Sequence, residues 1–190
     1  DVYKRQVDDF LSPERFKIIE NLAKIEFEKY KEVGFNTPRG KYTTFVKEDI
    51  IPEVNKDIIN FQEHKEYKNL VKLIHWVVMA PNTKYPVHID NASRIHTSIL
   101  YISPKKNKGT ILCENPSTND DGDHNQPDKP TKREVEIDWK PNRLFSHNPR
   151  PKTWHRFTSG DTERVNLSIF FADPDKIRSH RQDLDYMIDI

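Results

Sequence analysis

The sequence predicts a mainly β fold, a double-stranded β-helix (a cupin-like jelly roll) with packing helices at its N-terminal end, and three observations carry that expectation. From Leu70 onward the chain passes through eight short apolar segments rich in Val, Ile, Thr and aromatic residues, separated by Pro, Asn and Gly. Eight such segments suit a jelly roll. Before Leu70, apolar residues recur at helical rather than strand spacing. The 190 residues, 34% hydrophobic and 32% charged, suffice for one core and one domain over 7–190 and are too few for two comfortable ones.

Taken in order, the first six residues, Asp1–Gln6, resemble a translated sequencing adapter and stand outside the fold expectation. Ser12-Pro13-Glu14 reads as a helix start, with Ser12 as N-cap, Pro13 at the first helical position and Glu14 facing the positive end of the dipole. Phe16, Ile19, Leu22, Ile25 and Tyr30 follow at helical spacing, and Gly34 marks the stop. A second helix is expected after Ile51-Pro52, with Val54, Ile58 and Phe61 on one face. The strand segments are Leu70–Ala80, Tyr85–Asp90, Ile95–Ser103, Gly109–Glu114, Val135–Trp139, Arg143–His147, Thr153–Phe157 and Arg164–Ala172. Between Asn115 and Arg133 the polar, proline-containing stretch reads as a loop joining two strands. Its Asp120, Asp121 and Asp123 lack the spacing and closing glutamate of a calcium loop, so a solvated loop is the better reading.

Several function classes fall away on composition. Thirty-one basic against 30 acidic residues leave a formal charge of +1, which gives no bulk attraction for nucleic acid. The longest apolar run, Leu70–Ala80, is broken by Lys72 and His75, so no membrane span is expected. A single cysteine, Cys113, fits a reducing, cytoplasmic setting and excludes multi-cysteine metal sites. With only five glycines, phosphate-cradling loops have little to be built from.

The chemistry concentrates in the strands. His88 and Asp90 sit two apart on a strand and therefore face the same way, with Val87 and Ile89 turned to the other side. A His-x-Asp pair needs a third ligand to hold a metal, and a 2-His-1-carboxylate triad holds iron(II) by one face while leaving positions open. His155 is the candidate and His147 a competitor, with Arg164 nine residues after the first and seventeen after the second. Arg164 opens the last strand on a face shared with Asn166, Ser168 and Phe170. A cation aimed into a barrel is costly unless it meets an anion, and a bound dicarboxylate would supply one.

Together these residues resemble the iron(II)- and 2-oxoglutarate-dependent oxygenases, in particular the prolyl 4-hydroxylase-like branch. The matching run is His88-x-Asp90, Arg94-Ile-His-Thr97-Ser-Ile-Leu-Tyr101, Gly109-Thr110, His155 and Arg164, spread between Val78 and Phe171. The resemblance implies that His88, Asp90 and His155 bind the iron, that Arg164 pairs with the distal carboxylate of 2-oxoglutarate, and that Tyr101 donates to the same carboxylate with Thr97 on its strand face. It implies hydroxylation of an amino-acid or peptidyl, proline-like substrate, with dioxygen consumed, succinate and CO2 formed, and ascorbate as reductant. Met79-Ala80-Pro81 stands where relatives carry a tyrosine, a departure that bears on the contacts around the keto-acid end, and Arg94 with His96 also suits the Arg-x-His of the aspartyl/asparaginyl hydroxylases, which bears on the substrate class.

Other readings remain beside this one. A small-metabolite hydroxylase shares the cosubstrate site. A metal-dependent cupin isomerase or lyase would have no use for Arg164, and a non-catalytic binding module would have no use for the full ligand set. His75 and His96 read as core or pocket side chains, Trp139 and Trp154 as core or pocket wall, and His64, His124 and His180 as solvated.

Overall fold

Ten strands and one α-helix make up the described residues of the computed structural model, which are 4–35, 41–55, 70–90, 93–113, 133–147 and 153–174. In chain order they are β1 (Lys4–Val7), α1 (Pro13–Val33), β2 (Lys41–Val46), a 3-10 turn (Pro52–Val54), β3 (Val71–Met79), β4 (Lys84–His88), β5 (Arg94–Ser103), β6 (Thr110–Cys113), β7 (Glu134–Ile137), β8 (Leu144–His147), β9 (Trp154–Thr158) and β10 (Arg164–Ala172).

All eight strand segments expected from the sequence are strands, and they divide between two antiparallel sheets as a double-stranded β-helix requires. The major sheet runs β1-β8-β5-β10-β3-β2 and the minor sheet β4-β9-β6-β7. Strands β1 and β2, which the sequence did not announce, extend the major sheet at its two edges. Lys4–Gln6, from the stretch set aside as adapter-like, thus pair with Phe145–His147.

Helix α1 forms where its signals lie. The Ser12 hydroxyl accepts from the Arg15 N–H at 3.3 Å, Pro13 opens the first turn, and Gly34 closes the last with φ 73°, a conformation that favours glycine. The helix lays Ile19 and Ala23 on the outer face of the major sheet, against Ile74, Trp76, Val78, Leu100, Ile102, Leu167 and Ile169. Ile25, expected on that face, is exposed; Ala23 and the edge of Phe27 take the inward positions instead. The expected second helix yields only the turn at Pro52–Val54 among the described residues, and its Ile58 and Phe61, like the Asn115–Arg133 loop up to Lys132, lie outside them. No helix among the described residues is long and apolar enough to cross a membrane.

Sealing one face of the major sheet with apolar side chains leaves the other face free to enclose something polar. Between the sheets a smaller cluster of Ile99, Tyr101, Leu112, Ile137 and Phe145 forms one end of the interior. Gly109 marks a tight approach there: a Cβ at this position would meet the Ile137 carbonyl oxygen at 1.8 Å, so a side chain would push β6 off β7.

The entry into α1 is tied to the β7–β8 connection. Asn142 bonds both main-chain groups of Leu11, at 3.0 and 2.8 Å, and Arg143 grips the Asp8 carboxylate with two nitrogens at 2.6 and 3.0 Å. The Arg143 hydrogen bond lowers the Asp8 pKa from 3.8 to about 2. A carboxyl depressed in the folded state stabilises the protein at pH values above its unfolded pKa, and that contribution is lost as pH falls through the folded value. Asp8→Asn is therefore expected to cost under about 1 kcal/mol at neutral pH, since solvent screens the exposed Asp8 carboxylate. Urea unfolding of both proteins checks this: the difference should shrink steadily below about pH 4, and one that persists unchanged in acid rules the ion pair out as its source.

Candidate metal centre and anion pocket

Strands β4 and β9 are antiparallel neighbours, and their register sets His88 directly opposite His155. The pairing slips between Tyr85 and His88, where three steps along β4 match two along β9. This is a bulge around Pro86 and Val87, at a residue with no N–H to give the ladder. Because of it, Tyr85 and His88 look the same way despite their odd spacing: Tyr85 stacks on Phe157 at 4.8 Å and its ring lies 4.6 Å from that of His88. Val87 and Ile89 turn to the opposite face, where they pack with Cys113 and Trp154.

His88, Asp90 and His155 offer ligand atoms that all lie within 4.8 Å of one another, and they are the cluster of this kind found among the described residues. The His88 Nδ1 lies 2.9 Å from the Pro86 carbonyl, which can only accept, so Nδ1 carries the hydrogen and Nε2 keeps its lone pair. His155 repeats this more loosely toward the Thr153 carbonyl at 3.4 Å. Burial is the largest influence on both imidazoles and holds them below the ordinary histidine value, with the His155 charge adding to the effect at His88. For Asp90 burial acts upward, but opposing influences led by the Arg94 guanidinium outweigh it and keep the carboxyl well below the usual carboxylate range. Two neutral imidazoles and one ionised carboxylate are the protonation state in which a metal is bound, and a mixed nitrogen and oxygen set of this kind fits iron(II).

The second half of the site is a buried cation. Arg164 is 1% exposed, no carboxylate reaches it among the described residues, and its Nε has no hydrogen-bond partner. Its nearest acceptors are the Lys108 carbonyl at 3.4 Å and the Thr110 hydroxyl at 3.5 Å, both long. Three rings surround the guanidinium, with centroids at 5.2 Å (Tyr101), 5.0 Å (Trp139) and 5.1 Å (Phe157). The Tyr101 hydroxyl accepts from the Thr110 N–H at 3.0 Å and donates to the Thr110 hydroxyl at 2.9 Å. An uncompensated guanidinium beside two hydroxyls, with an orphaned N–H, is a site built for an anion with planar oxygens.

The structure brings five of the six expected site residues into these two arrangements and gives the sixth a different neighbour. Thr97, expected beside Tyr101 for the cosubstrate, directs its hydroxyl to Asp90 Oδ2 at 2.8 Å. Alternation along β5 correctly puts Thr97 and Tyr101 on one face, but four residues of strand separate the two ends of the interior. Thr110 and Arg94 stood in the matching run, Arg94 also in an Arg-x-His, but neither was given a contact in the site. Thr110 was legible as the inward partner of Leu112 on β6; Arg94, which bonds Asp90 Oδ1 at 2.8 Å, was hidden by a register shift.

The remaining histidines divide cleanly. His147 is buried on β8 with its ring centroid 5.0 Å from that of His155, beside the convergent set and not in it. His96 faces away, toward Ser98 and Phe171 under α1, so Arg94 and His96 do not share a face. His75 lies between Phe45 and Phe170, and burial first, then Arg94 and Lys41, lower its pKa to about 3. Trp139 is pocket wall and Trp154 outer packing, while His64, His124 and His180 lie outside the described residues.

No family model and no curated protein sequence matches this chain. Solved structures do. A prolyl hydroxylase from Trichoplax adhaerens, in complex with a hypoxia inducible factor peptide fragment, superposes with a TM-score of 0.64 at 12% identity, over 93% of this chain and 86% of that one. A Pseudomonas putida prolyl-4-hydroxylase gives 0.59 at 13%, over 89% and 91%. A viral collagen prolyl hydroxylase from Paramecium Bursaria Chlorella virus-1, in complex with 2OG, gives 0.58 at 14%, over 90% and 95%. The chain thus has the double-stranded β-helix fold that these prolyl hydroxylases share, along nearly its whole length.

Proposed function

We propose that this protein is an iron(II)- and 2-oxoglutarate-dependent dioxygenase that hydroxylates an unactivated C–H bond of an amino-acid or peptidyl, proline-like substrate. The observation that carries the reading is the pairing, in one interior, of a convergent His88–Asp90–His155 set with a fully buried Arg164 that lacks a carboxylate. His88, Asp90 and His155 hold the iron. Arg164, Tyr101 and Thr110 hold the distal carboxylate of 2-oxoglutarate, and Thr97 supports Asp90.

When bound, the iron and cosubstrate would supply the oxidising chemistry, with dioxygen as oxidant, succinate and CO2 as co-products and one oxygen atom for the substrate C–H bond. The protein contributes position and exclusion of water. Pro86 and Thr153 carbonyls fix the histidine tautomers so that both Nε2 atoms point inward. Trp139, Phe157 and Tyr101 keep the anion pocket dry, which strengthens the Arg164–carboxylate attraction. In a metal-dependent cupin isomerase or lyase a buried, uncompensated Arg164 would be pure cost. The likeness to a peptide-bound hydroxylase supports peptide or small-molecule substrates, free proline and proline-containing peptides being the first to try. We further read the chain as a single domain that takes in Lys4–Gln6 of β1 as well as 7–190, with ascorbate as reductant and Cys113 a buried free thiol suited to the cytoplasm.

Anaerobic addition of iron(II) and then 2-oxoglutarate should produce the weak visible charge-transfer band of a chelated keto acid, which fades with succinate formation when air is admitted. His155→Ala should abolish iron binding and the band together. Iron binding without any band on adding the keto acid sinks the oxygenase reading.

Arg164 separates affinity from stability. Arg164→Ala should weaken 2-oxoglutarate at least about 30-fold, the loss of a buried ionic partner, while iron affinity holds. Arg164→Met, which fills the space without a charge, should lose the cosubstrate yet unfold no more easily than the parent and up to about 3 kcal/mol less easily. A Met variant that is clearly less stable would mean that the guanidinium has a structural partner.

A further inference from the structure

The Asp90 carboxylate is held at both oxygens before any metal arrives. Thr97 Oγ1 donates to Oδ2 and Arg94 Nη1 to Oδ1, each at 2.8 Å. Both donors come from β5, three residues apart, a spacing that normally puts side chains on opposite faces. The pairing of β5 with β10 explains the exception: Phe171 pairs with His96 and the next residue, Ala172, with Arg94, so β5 carries an extra residue at Ile95. That bulge turns Arg94 back to the interior face, where its guanidinium lies over the Phe170 ring at 3.6 Å. The two arms differ in setting. Thr97 is 2% exposed, whereas the Arg94 side chain is 30% exposed and reaches Asp90 from the rim.

We propose that Thr97 and Arg94 are positioning residues that lock the rotation of the Asp90 carboxylate, so that it meets the metal through one oxygen. This rests on the reading of His88, Asp90 and His155 as the metal centre. The terminal torsion of an aspartate is broad and two-fold, so an unheld carboxylate turns freely and can offer both oxygens. With one oxygen engaged, the three protein ligands occupy three positions, and three are left for a chelating keto acid and dioxygen. An Asp90 that chelated through both oxygens would leave one too few. Thr97 does most of this work, because its bond is sealed from water and its loss strands a buried carboxylate oxygen.

Cobalt(II) alone, titrated into the full chain, tests the lock through affinity and through the visible d–d absorption, whose intensity follows coordination number. Thr97→Val keeps the shape of the side chain and removes the hydroxyl. It is expected to bind cobalt(II) about 10- to 100-fold more weakly than wild type and to change the absorption intensity. Thr97→Ser, which keeps the hydroxyl, should return to within about 3-fold of wild type with the parent spectrum. Arg94→Met should shift both readouts in the same direction as Thr97→Val. Wild-type affinity and an unchanged spectrum in Thr97→Val overturn the proposal, as does a Ser variant as weak as the Val variant, which would make the methyl group's packing the cause. Wild-type protein that fails to bind cobalt(II) at all removes the metal centre itself and the lock with it, whereas a failure of Thr97→Val alone leaves the metal centre standing.

Discussion

The antiparallel pairing of β4 with β9 is the constraint on which the rest of the site depends. It sets His88 opposite His155 across one step of the sheet, and the bulge at Pro86 puts His88 on the interior side of β4. Main-chain geometry thus does the work of assembly, and the side chains need only fill the positions given to them. The same device recurs on β5, where an extra residue turns Arg94 inward beside Thr97. Two one-residue irregularities, on strands in different sheets, make a cluster that regular alternation could not have built.

The interior holds two buried ions of opposite sign that are treated differently. Asp90 has a guanidinium and a hydroxyl on it, so its charge is compensated within the fold. Arg164 has rings and long hydrogen bonds around it, and its charge is not. A fold can carry such a cost only if stability comes from elsewhere. Here that source is the opposite face of the major sheet, where α1 seals Ile19 and Ala23 over an apolar layer that contains no charged group of the site. The two faces of one sheet thus divide stability from function.

Much of this was legible in the sequence, and the failures have identifiable causes. Alternation located His88 with Asp90 and the inward face of β10, and composition located all eight barrel strands, because both signals survive wherever one face of a strand is buried. His155 was preferred to His147 through the resemblance, whose pattern sets an arginine about nine residues beyond the distal histidine, since spatial convergence of distant strands leaves no local trace. Strands β1 and β2 escaped notice: Lys-Arg-Gln-Val carries no alternation, and the second is a six-residue edge strand whose side chains are mostly half-buried. Arg94 was placed in the matching run but not at Asp90, because a bulge breaks the period on which facing is judged. Thr97 was given the face it occupies, but its hydroxyl bonds Asp90 rather than lying beside that of Tyr101. Periodicity says which way a side chain points and nothing about how far along the interior its partner lies.

Gly109 closes one end of that interior. With the Ile137 carbonyl oxygen where a Cβ would be, β6 rests on β7 backbone to backbone, and the height of Thr110, and through it of the Tyr101 hydroxyl, is fixed by main-chain atoms. The histidine pair at the other end is likewise fixed by strand register. Both ends of the interior are thus referenced to main-chain register rather than to side-chain packing. Under the proposed function, a diacid held between them would be gauged against a frame built from backbone.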